Sequence, residues 1–245
     1  MLLALLPLTG WGQDDDNGFT ADRPGRTPGV SVLPKGRVQW ETAVEWERHD
    51  FYDIAFTVWT LNSTVLRWGL FDRTELQLTG DWIYQDYEGQ TDSDLTNLTV
   101  GAKTRLYDGG KIWPAVALQT NVFIPSRRSD FLPDNWGVML ALAFENALTK
   151  RLTLGYGIDL SWIDSPRATN LFGAYLTYQV NDRLSLLAEE YNVDHPEEFS
   201  SWVMLGVMWQ LSKRMQIDIA TEFSMNDFSD NKYLTVGLAW QLTKR

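Results

Sequence analysis

Charged side chains stand inside stretches that are otherwise apolar and aromatic. The segment LRWGLFDRTELQL, residues 66–78, carries Arg67, Arg73 and Glu75 between leucine and tryptophan residues. Charges on apolar elements are costly unless they are paired or hydrated. Such residues therefore indicate an ion-pair network, a polar binding site or the lining of a water-filled path. Which of these applies depends on the side of the element that meets water.

The elements that carry these charges are predicted to be β-strands. From residue 37 onward, apolar and polar residues alternate with a period of two, and no stripe with a helical period is present. Each run is about as long as the ~9–11 residues that a tilted strand needs to cross a bilayer. The twelve runs are 37–48, 54–69, 73–84, 95–107, 111–124, 136–146, 151–163, 170–180, 183–192, 200–211, 214–225 and 233–243.

The connections between these runs alternate in length. Short turns fall at 70–72, 108–110, 147–150, 181–182 and 212–213, and longer loops at 49–53, 85–94, 125–135, 164–169, 193–199 and 226–232. An even number of strands with short turns at one end and long loops at the other is typical of outer-membrane barrels. A soluble sandwich is the alternative, but it gives no reason for this sorting.

Large side chains share one face of each run, and small or charged side chains share the other. In the seventh run, Leu154 and Ile158 alternate with Gly155, Gly157 and Asp159. A small soluble barrel needs bulky residues inside to fill its core, so this pattern places the bulky face outward, toward lipid. The sequence therefore predicts an all-β fold, a 12-stranded antiparallel transmembrane β-barrel of the outer-membrane type.

The tryptophans test this orientation, because aromatic residues gather at both surfaces of a membrane. On the bulky face, Trp40, Trp68, Trp209 and Trp240 lie near short turns, and Trp46, Trp82, Trp136 and Trp162 lie near long loops. These eight residues are predicted to form two bands at the lipid interface. Trp59, Trp113 and Trp202 fall on the opposite face. A β-bulge near 61–63 would restore the pattern in the second run.

The inward face then carries the charges: Glu41, Arg67, Arg73, Glu75, Lys103, Arg105, Glu145, Asp159, Glu189, Asp218 and Glu222. With a turn at 70–72, Arg67 lies opposite Glu75, and basic residues on runs two to four face an acidic wall. Two interpretations remain open. The charges form either a transverse field that orients polar solutes in a water-filled channel, or a ladder of structural salt bridges in a narrow or plugged barrel.

The chain divides into a signal peptide at 1–12, an irregular N-terminal extension at 13–36 and the barrel at 37–245. The signal peptide is predicted from the short apolar run LLALLPL. The extension contains Arg23, Arg26 and Lys35, and it either folds into the lumen as a plug or lies in the periplasm. We expect some contact with the barrel.

Composition limits the partners of the protein. The net charge of −11 argues against nucleic acid, and the absence of cysteine excludes disulfides. The expected location is the outer membrane of a Gram-negative bacterium. The expected partners are outer-membrane lipid, a small-molecule solute and the barrel-assembly machinery, with no cofactor and no metal.

Enzymatic chemistry is not predicted. The two histidines, His49 and His195, each adjoin an aspartate in a predicted outer loop. Some barrel proteases use such residues at the rim to activate water, so a rim hydrolase is one alternative. Solvated loop residues are the simpler interpretation.

Three stretches resemble a known family. They are TADRPGRTPGVSVLPKGRVQWE (residues 20–41), LRWGLFDRTELQL (residues 66–78) and VGAKTRLYDGG (residues 100–110). They are similar to the outer-membrane β-barrel family labelled transporter or meta-pathway phenol-degradation protein. The resemblance covers the first half of the chain well and the second half by strand pattern. It implies a barrel and the passage of hydrophobic or aromatic small molecules.

The favoured function is therefore an outer-membrane channel or transporter for small molecules, with the inward charges as a filter or gate. A non-conducting structural or surface-binding barrel is the alternative. In that case every inward charge is paired and the loops carry the function.

Overall fold

The structure is a computed structural model that describes residues 19–51, 54–87, 90–127, 129–196, 198–226 and 232–243. The predicted signal peptide at 1–12 lies outside the described residues. No helix in the described ranges has the length and apolar character needed to cross a membrane.

Twelve antiparallel strands close into one barrel, as predicted. Each strand pairs with its neighbours in sequence, and the first strand pairs with the last, so the sheet has no free edge along its middle. The strands are β1 (Val38–Phe51), β2 (Ile54–Phe71), β3 (Thr74–Tyr87), β4 (Gln90–Tyr107), β5 (Ala115–Phe123), β6 (Gly137–Ala147), β7 (Leu152–Trp162), β8 (Thr169–Gln179), β9 (Leu184–Asp194), β10 (Phe199–Ser212), β11 (Met215–Ser224) and β12 (Lys232–Gln241).

One side of the barrel is taller than predicted. The segments 49–53 and 85–94 were expected to be outer loops, but strand pairing continues to Phe51↔Ile54 in one hairpin and to Tyr87↔Gln90 in the next. As a result β2 and β4 each have 18 residues, whereas β7 has 11. Polar residues extend the second of these hairpins, among them Gln85, Asp86, Gln90 and Thr91.

The two faces of the barrel differ as predicted. Leu140 and Ile219 are exposed on the outer surface, whereas their small neighbours Ala141 and Ala220 are buried inside. Small residues on the inner face leave space inside the barrel that other groups can fill.

A β-bulge in β2 corrects the parity of that strand. Ala43 of β1 pairs with Ser63 of β2, and Glu45 pairs with Thr60. Between these two pairs, β2 therefore has one residue more than β1. The extra residue turns Trp59 to the outside, opposite Trp46. The bulge predicted near 61–63 is thus present, and Trp59 belongs to the outer face after all.

The turn between β2 and β3 differs from the prediction. A register shift between Gly69 and Phe71 moves the turn to residues 72–73. Arg67 therefore lies directly opposite Gln77, and Glu75 lies opposite Gly69. Because same-face neighbours on a diagonal remain within reach of long side chains, this change in register does not separate Arg67 from Glu75.

Candidate functional site

The N-terminal segment at residues 19–36 lies inside the barrel. It forms neither a helix nor a strand, yet Val30 and Leu33 are only 2% and 0% exposed. Val30 packs against Ala117 of β5 and Ala143 of β6. The small inward residues of these strands thus leave the space that the segment fills.

The Arg67 cluster, defined here as Glu41, Arg67, Glu75 and Lys103, lies on β1–β4. Arg67 is fully buried and donates to Glu41 at 2.7 Å and to Glu75 at 2.9 Å and 3.0 Å. Glu75 in turn accepts a hydrogen bond from the backbone N–H of Leu33 at 2.6 Å. Each buried charge therefore has a partner of opposite sign or a polar donor, which is the condition for tolerating charge in an interior.

Asp22 of the segment joins this cluster. Its Oδ2 lies 2.5 Å from Nζ of Lys103 and 3.4 Å from a guanidinium nitrogen of Arg67, while its Oδ1 accepts from Ser31 at 3.0 Å. Burial acts to raise the pKa of Asp22, but Arg67 and Lys103 outweigh burial and hold the pKa below its usual value. Asp22 is therefore an anion at neutral pH.

The acidic cluster, defined here as Glu45, Glu189, Asp218 and Glu222, lies on β1, β9 and β11, so that the two clusters extend in opposite directions around the barrel from β1. Two arginines of the segment approach it. Arg23 lies 3.5 Å from Asp218 and 3.9 Å from Glu45. Arg26 donates to Glu222 at 2.8 Å and stacks on the ring of Tyr233 at 4.5 Å. The segment thus presents its cations to the acidic side of the lumen and its anion to the basic side.

Backbone groups of the segment bind the remaining member of the acidic cluster. Glu189 accepts hydrogen bonds from the N–H of Arg26 at 3.0 Å and from the N–H of Thr27 at 2.5 Å. A carboxylate held by backbone donors is stabilised in its charged form. These contacts fix the position of the segment's backbone as well as that of its side chains.

Gly69 of β2 allows the segment to pass close to the wall. A Cβ at this position would lie 2.1 Å from the carbonyl oxygen of Pro34 and 2.7 Å from that of Leu33. The same glycine accepts a hydrogen bond from the N–H of Gly36 at 2.7 Å. Any side chain at position 69 would therefore push the segment away.

The structure brings seven of the predicted inward charges into contact with the segment or with its partners: Glu41, Arg67, Glu75, Lys103, Glu189, Asp218 and Glu222. Two others are half-buried and lie apart from these clusters. Glu145 of β6 accepts a hydrogen bond from Tyr175 at 3.3 Å. Asp159 of β7 lies in the register position next to Leu171.

Arg73 departs from the prediction. It was expected to point into the lumen, but it lies in the turn at 72–73, where its side chain is 56% exposed and pairs with Asp108. The shift of the turn is the reason, because β3 begins only at Thr74. Arg105 is partly exposed and lies 3.4 Å from the same aspartate. Arg105 is thus outside the Arg67 cluster, and it attracts the carboxylate of Glu145.

Sequence reasoning missed several residues of the site. Glu45 lies on the same face as Glu41 and was identifiable by parity alone. Asp22 sits directly before Arg23 in the segment, but nothing in its own sequence context indicates which wall it meets. Tyr191 is buried and donates to Glu222, and its ring stacks on that of Trp202, at 6.4 Å between centroids. The inward position of Trp202 is thus part of the lumen and not an exception to the outer bands.

The eight predicted interface tryptophans lie on the outer surface. Five of them are exposed: Trp68, Trp82, Trp136, Trp209 and Trp240. Trp40, Trp46 and Trp162 are half-buried between neighbouring outer side chains. Their contact with lipid remains a prediction.

The predicted rim histidines lie away from the lumen clusters. His195 forms a backbone-paired turn with Glu198, and the side chain of His49 lies outside the described residues. Within the described ranges, no group of three or more His, Asp or Glu side chains has the geometry to hold a metal ion.

Comparison with solved structures identifies barrels of the same fold. The COG4313 outer membrane channel from Pseudomonas putida F1 superimposes with a TM-score of 0.68 at 14% identity, covering 89% of this chain and 99% of that one. The translocator domain of autotransporter NalP from Neisseria meningitidis gives 0.52 at 11% identity, covering 89% and 90%. The CymD monoaromatic hydrocarbon channel gives 0.50 at 6% identity, covering 86% and 89%. At such low identities the likeness concerns the fold alone.

Comparison with curated protein sequences finds no significant match. A family model described as "Putative MetA-pathway of phenol degradation" matches residues 21–242, which include the luminal segment and all twelve strands. The chain is a 12-stranded outer-membrane β-barrel and belongs to this family.

Proposed function

We propose that the protein is an outer-membrane channel for small hydrophobic or aromatic molecules, and that the N-terminal segment gates it. The segment crosses the lumen and binds both walls through Asp22, Arg23 and Arg26. A solute that passes through the barrel must displace the segment or move alongside it. The charge complementarity between segment and lumen is the observation that carries this proposal.

The segment is held by groups that allow reversible release. Its polar contacts are ion pairs and hydrogen bonds inside the lumen, and Arg26 remains about one-third exposed. Partly exposed ion pairs contribute only modestly, because water competes for both partners. A bound segment that is released at a moderate free-energy cost is what a gate requires.

Aromatic cargo is supported by two observations. The family description names phenol degradation, and one barrel of the same fold is a monoaromatic hydrocarbon channel. Another barrel of this fold is the translocator domain of an autotransporter, so the fold leaves the cargo open. The solute class is therefore a proposal, and the uptake experiment below tests it.

A tether between the segment and the wall tests the gate. Cysteines at Val30 and Ala117, whose side chains belong to one buried cluster, should form a disulfide in this otherwise cysteine-free chain. Uptake of radiolabelled toluene and arabinose would be measured in proteoliposomes with lipopolysaccharide in the outer leaflet. We expect faster toluene uptake than in protein-free vesicles, strong inhibition after oxidation and recovery after reduction.

Three controls complete the experiment. Each single cysteine variant should respond to neither oxidant nor reductant, and mass spectrometry reports whether the disulfide forms. Equal uptake by oxidised and reduced protein would refute the gate. Uptake equal to that of protein-free vesicles in both states, and also in the Arg23→Gln/Arg26→Gln variant, would favour the alternative of a non-conducting structural or surface-binding barrel.

A further inference from the structure

A cavity of about 690 Å³ lies between the N-terminal segment and the inner wall of β4–β10. Its lining includes residues 108–110 and 147–150, which connect strands at the short-turn end of the barrel. This is the periplasmic end of an outer-membrane barrel. The volume lies in the range of ~300–1,000 Å³ that small-molecule sites occupy.

One side of this cavity is apolar. Val30 and Ala115 belong to one buried cluster, and Leu187 belongs to another, against which Tyr175 and Met208 pack. These side chains provide a surface for a flat apolar ring. Methionine adapts its shape to such a ring and makes favourable sulfur–aromatic contacts.

The other side of the cavity carries a polar pair. Tyr175 donates a hydrogen bond to Oε2 of Glu145 at 3.3 Å. The Tyr175 ring lies directly over Gly155, where a Cβ would be 2.0 Å from the ring. Gly155 therefore allows the ring to lie flat against the wall and to bring its hydroxyl to Glu145.

Glu145 is the acceptor that the cavity offers to a ligand. The other acidic residues of the lining form ion pairs within 4.0 Å, Asp22 with Lys103 and Asp108 with Arg73 and Arg105, whereas Arg105 attracts Glu145 from a longer distance. Within the described part of the chain, Tyr175 is the one hydrogen-bond donor to Glu145. A carboxylate has about four acceptor sites, so Glu145 retains acceptor capacity on the side of the cavity.

We propose that this cavity binds a small, uncharged aromatic alcohol. The ring packs on Leu187 and Met208, and the hydroxyl group donates a hydrogen bond to Glu145. An aromatic hydrocarbon fills the same space without this hydrogen bond, and an aromatic carboxylate meets the negative charge of Glu145. The inference rests on the proposed function, since it names the solute class that pauses on the periplasmic side of the segment.

Binding of three single-ring probes tests the proposal: benzyl alcohol, toluene and benzoate. Each would be titrated at pH 7 into the full-length protein in lipid nanodiscs, and the signal of empty nanodiscs would be subtracted. A hydrogen bond to a charged group changes affinity by roughly tenfold or more. We therefore expect benzyl alcohol to bind at least about tenfold more tightly than toluene or benzoate.

Variants then assign the site. Glu145→Ala should lower the affinity for benzyl alcohol about tenfold, leave toluene nearly unchanged and strengthen benzoate. Tyr175→Phe should retain the preference for benzyl alcohol, because Glu145 keeps its acceptor oxygens. Thr177→Trp, which fills the cavity, should abolish binding of all three probes. Asp182→Asn, at an exposed turn residue, is the matched carboxylate control and should behave as wild type.

Equal affinity for the three probes, or unchanged benzyl alcohol binding in Glu145→Ala, would overturn the proposal. If Glu145→Ala does not fold, unchanged binding in Thr177→Trp would overturn it in the same way. The result is separable from the proposed function. Uptake through the barrel without benzyl alcohol binding refutes this site only, and binding without uptake refutes the channel only.

Discussion

The two charged regions of the lumen are balanced in different ways. The Arg67 cluster contains two carboxylates, on Glu41 and Glu75, and two cations, on Arg67 and Lys103, so its formal charge is zero without help from the segment. The acidic cluster has four carboxylates and no cation among its own members. Among the described residues, Arg23 and Arg26 of the segment supply the positive charge opposite it, and two backbone N–H groups of the segment and the Tyr191 hydroxyl donate hydrogen bonds to it.

This difference assigns separate roles to the two regions. A self-balanced cluster stabilises the barrel whether or not the segment is bound. A cluster of like charges repels itself when its counterions leave, because Coulomb energies rise in a low-dielectric interior. We infer that the Arg67 cluster is mainly structural and that the acidic cluster holds the segment. The predictions below test this division, beginning with the largest effect.

Arg67→Met should destabilise the barrel most. The substitution leaves Glu41 and Glu75 buried with one fewer cation, and breaking a buried pair in this way costs about 3–5 kcal/mol. The free energy of unfolding in urea and the yield of heat-modifiable folded barrel both measure the effect. Arg151→Met, at an exposed turn arginine, should change stability by less than about 0.5 kcal/mol. A similar stability for both variants would show that the Arg67 cluster is not structural.

Arg23→Gln/Arg26→Gln should lower stability by about 2 kcal/mol, since both arginines are partly exposed and water replaces some of the lost interaction. Adding Asp218→Asn and Glu222→Gln should recover most of this loss, because the like charges are removed together with their counterions. The coupling energy follows from the free energies of unfolding of three variants: Arg23→Gln/Arg26→Gln, Asp218→Asn/Glu222→Gln and the variant with all four substitutions. Additive effects would contradict the assignment of these arginines as counterions. Lys35→Gln, at an exposed cation of the same segment, is the control.

Gly69→Ala should release the segment by steric exclusion and cost about 1–2 kcal/mol, because the new methyl group meets the carbonyl of Pro34. Gly80→Ala is a matched change in the neighbouring strand, where the added Cβ meets only side-chain carbons at 3.6 Å and 3.8 Å. Conductance in planar bilayers compares the two. We expect Gly69→Ala to conduct more than wild type and Gly80→Ala to match wild type, and the reverse order would rule out this path for the segment.

Asp22→Asn should have the smallest effect, about 1 kcal/mol at neutral pH, since the Arg67 cluster remains balanced without it. The pKa of Asp22 is lowered from 3.8 in the folded protein. Its contribution is therefore complete above pH 3.8 and disappears as the pH falls through the lowered value. The difference in free energy of unfolding between wild type and Asp22→Asn should be constant from pH 7 to 5, begin to fall near pH 3.8 and vanish only below the lowered pKa of the folded protein. A difference that changes near neutral pH would contradict this assignment.

The sequence predicts the barrel because alternation is a property of each strand by itself. Strand number, the inward face and the pairing of Arg67 with acidic neighbours all follow from parity. The register of β2 does not follow, because Leu70 adds a residue to the strand before the turn. The heights of β1–β4 were also missed, since polar residues in an extended hairpin resemble a loop when read as composition alone.

The sequence left the position of the segment open between the lumen and the periplasm, for a different reason. Arg23 and Arg26 suit an acidic lumen, but they suit water equally well. The decisive features are spatial: the missing side chain at Gly69 and the backbone donors aimed at Glu189. Neither feature has a periodic signature.

Ion selectivity of the Arg23→Gln/Arg26→Gln variant tests the central claim most directly. The account predicts a conductance above that of wild type and a reversal potential that shifts toward strong cation selectivity under a salt gradient, because the acidic cluster then faces an open path. Adding Asp218→Asn and Glu222→Gln should reduce that selectivity while the conductance stays high. An unchanged conductance together with an unchanged reversal potential would contradict the account.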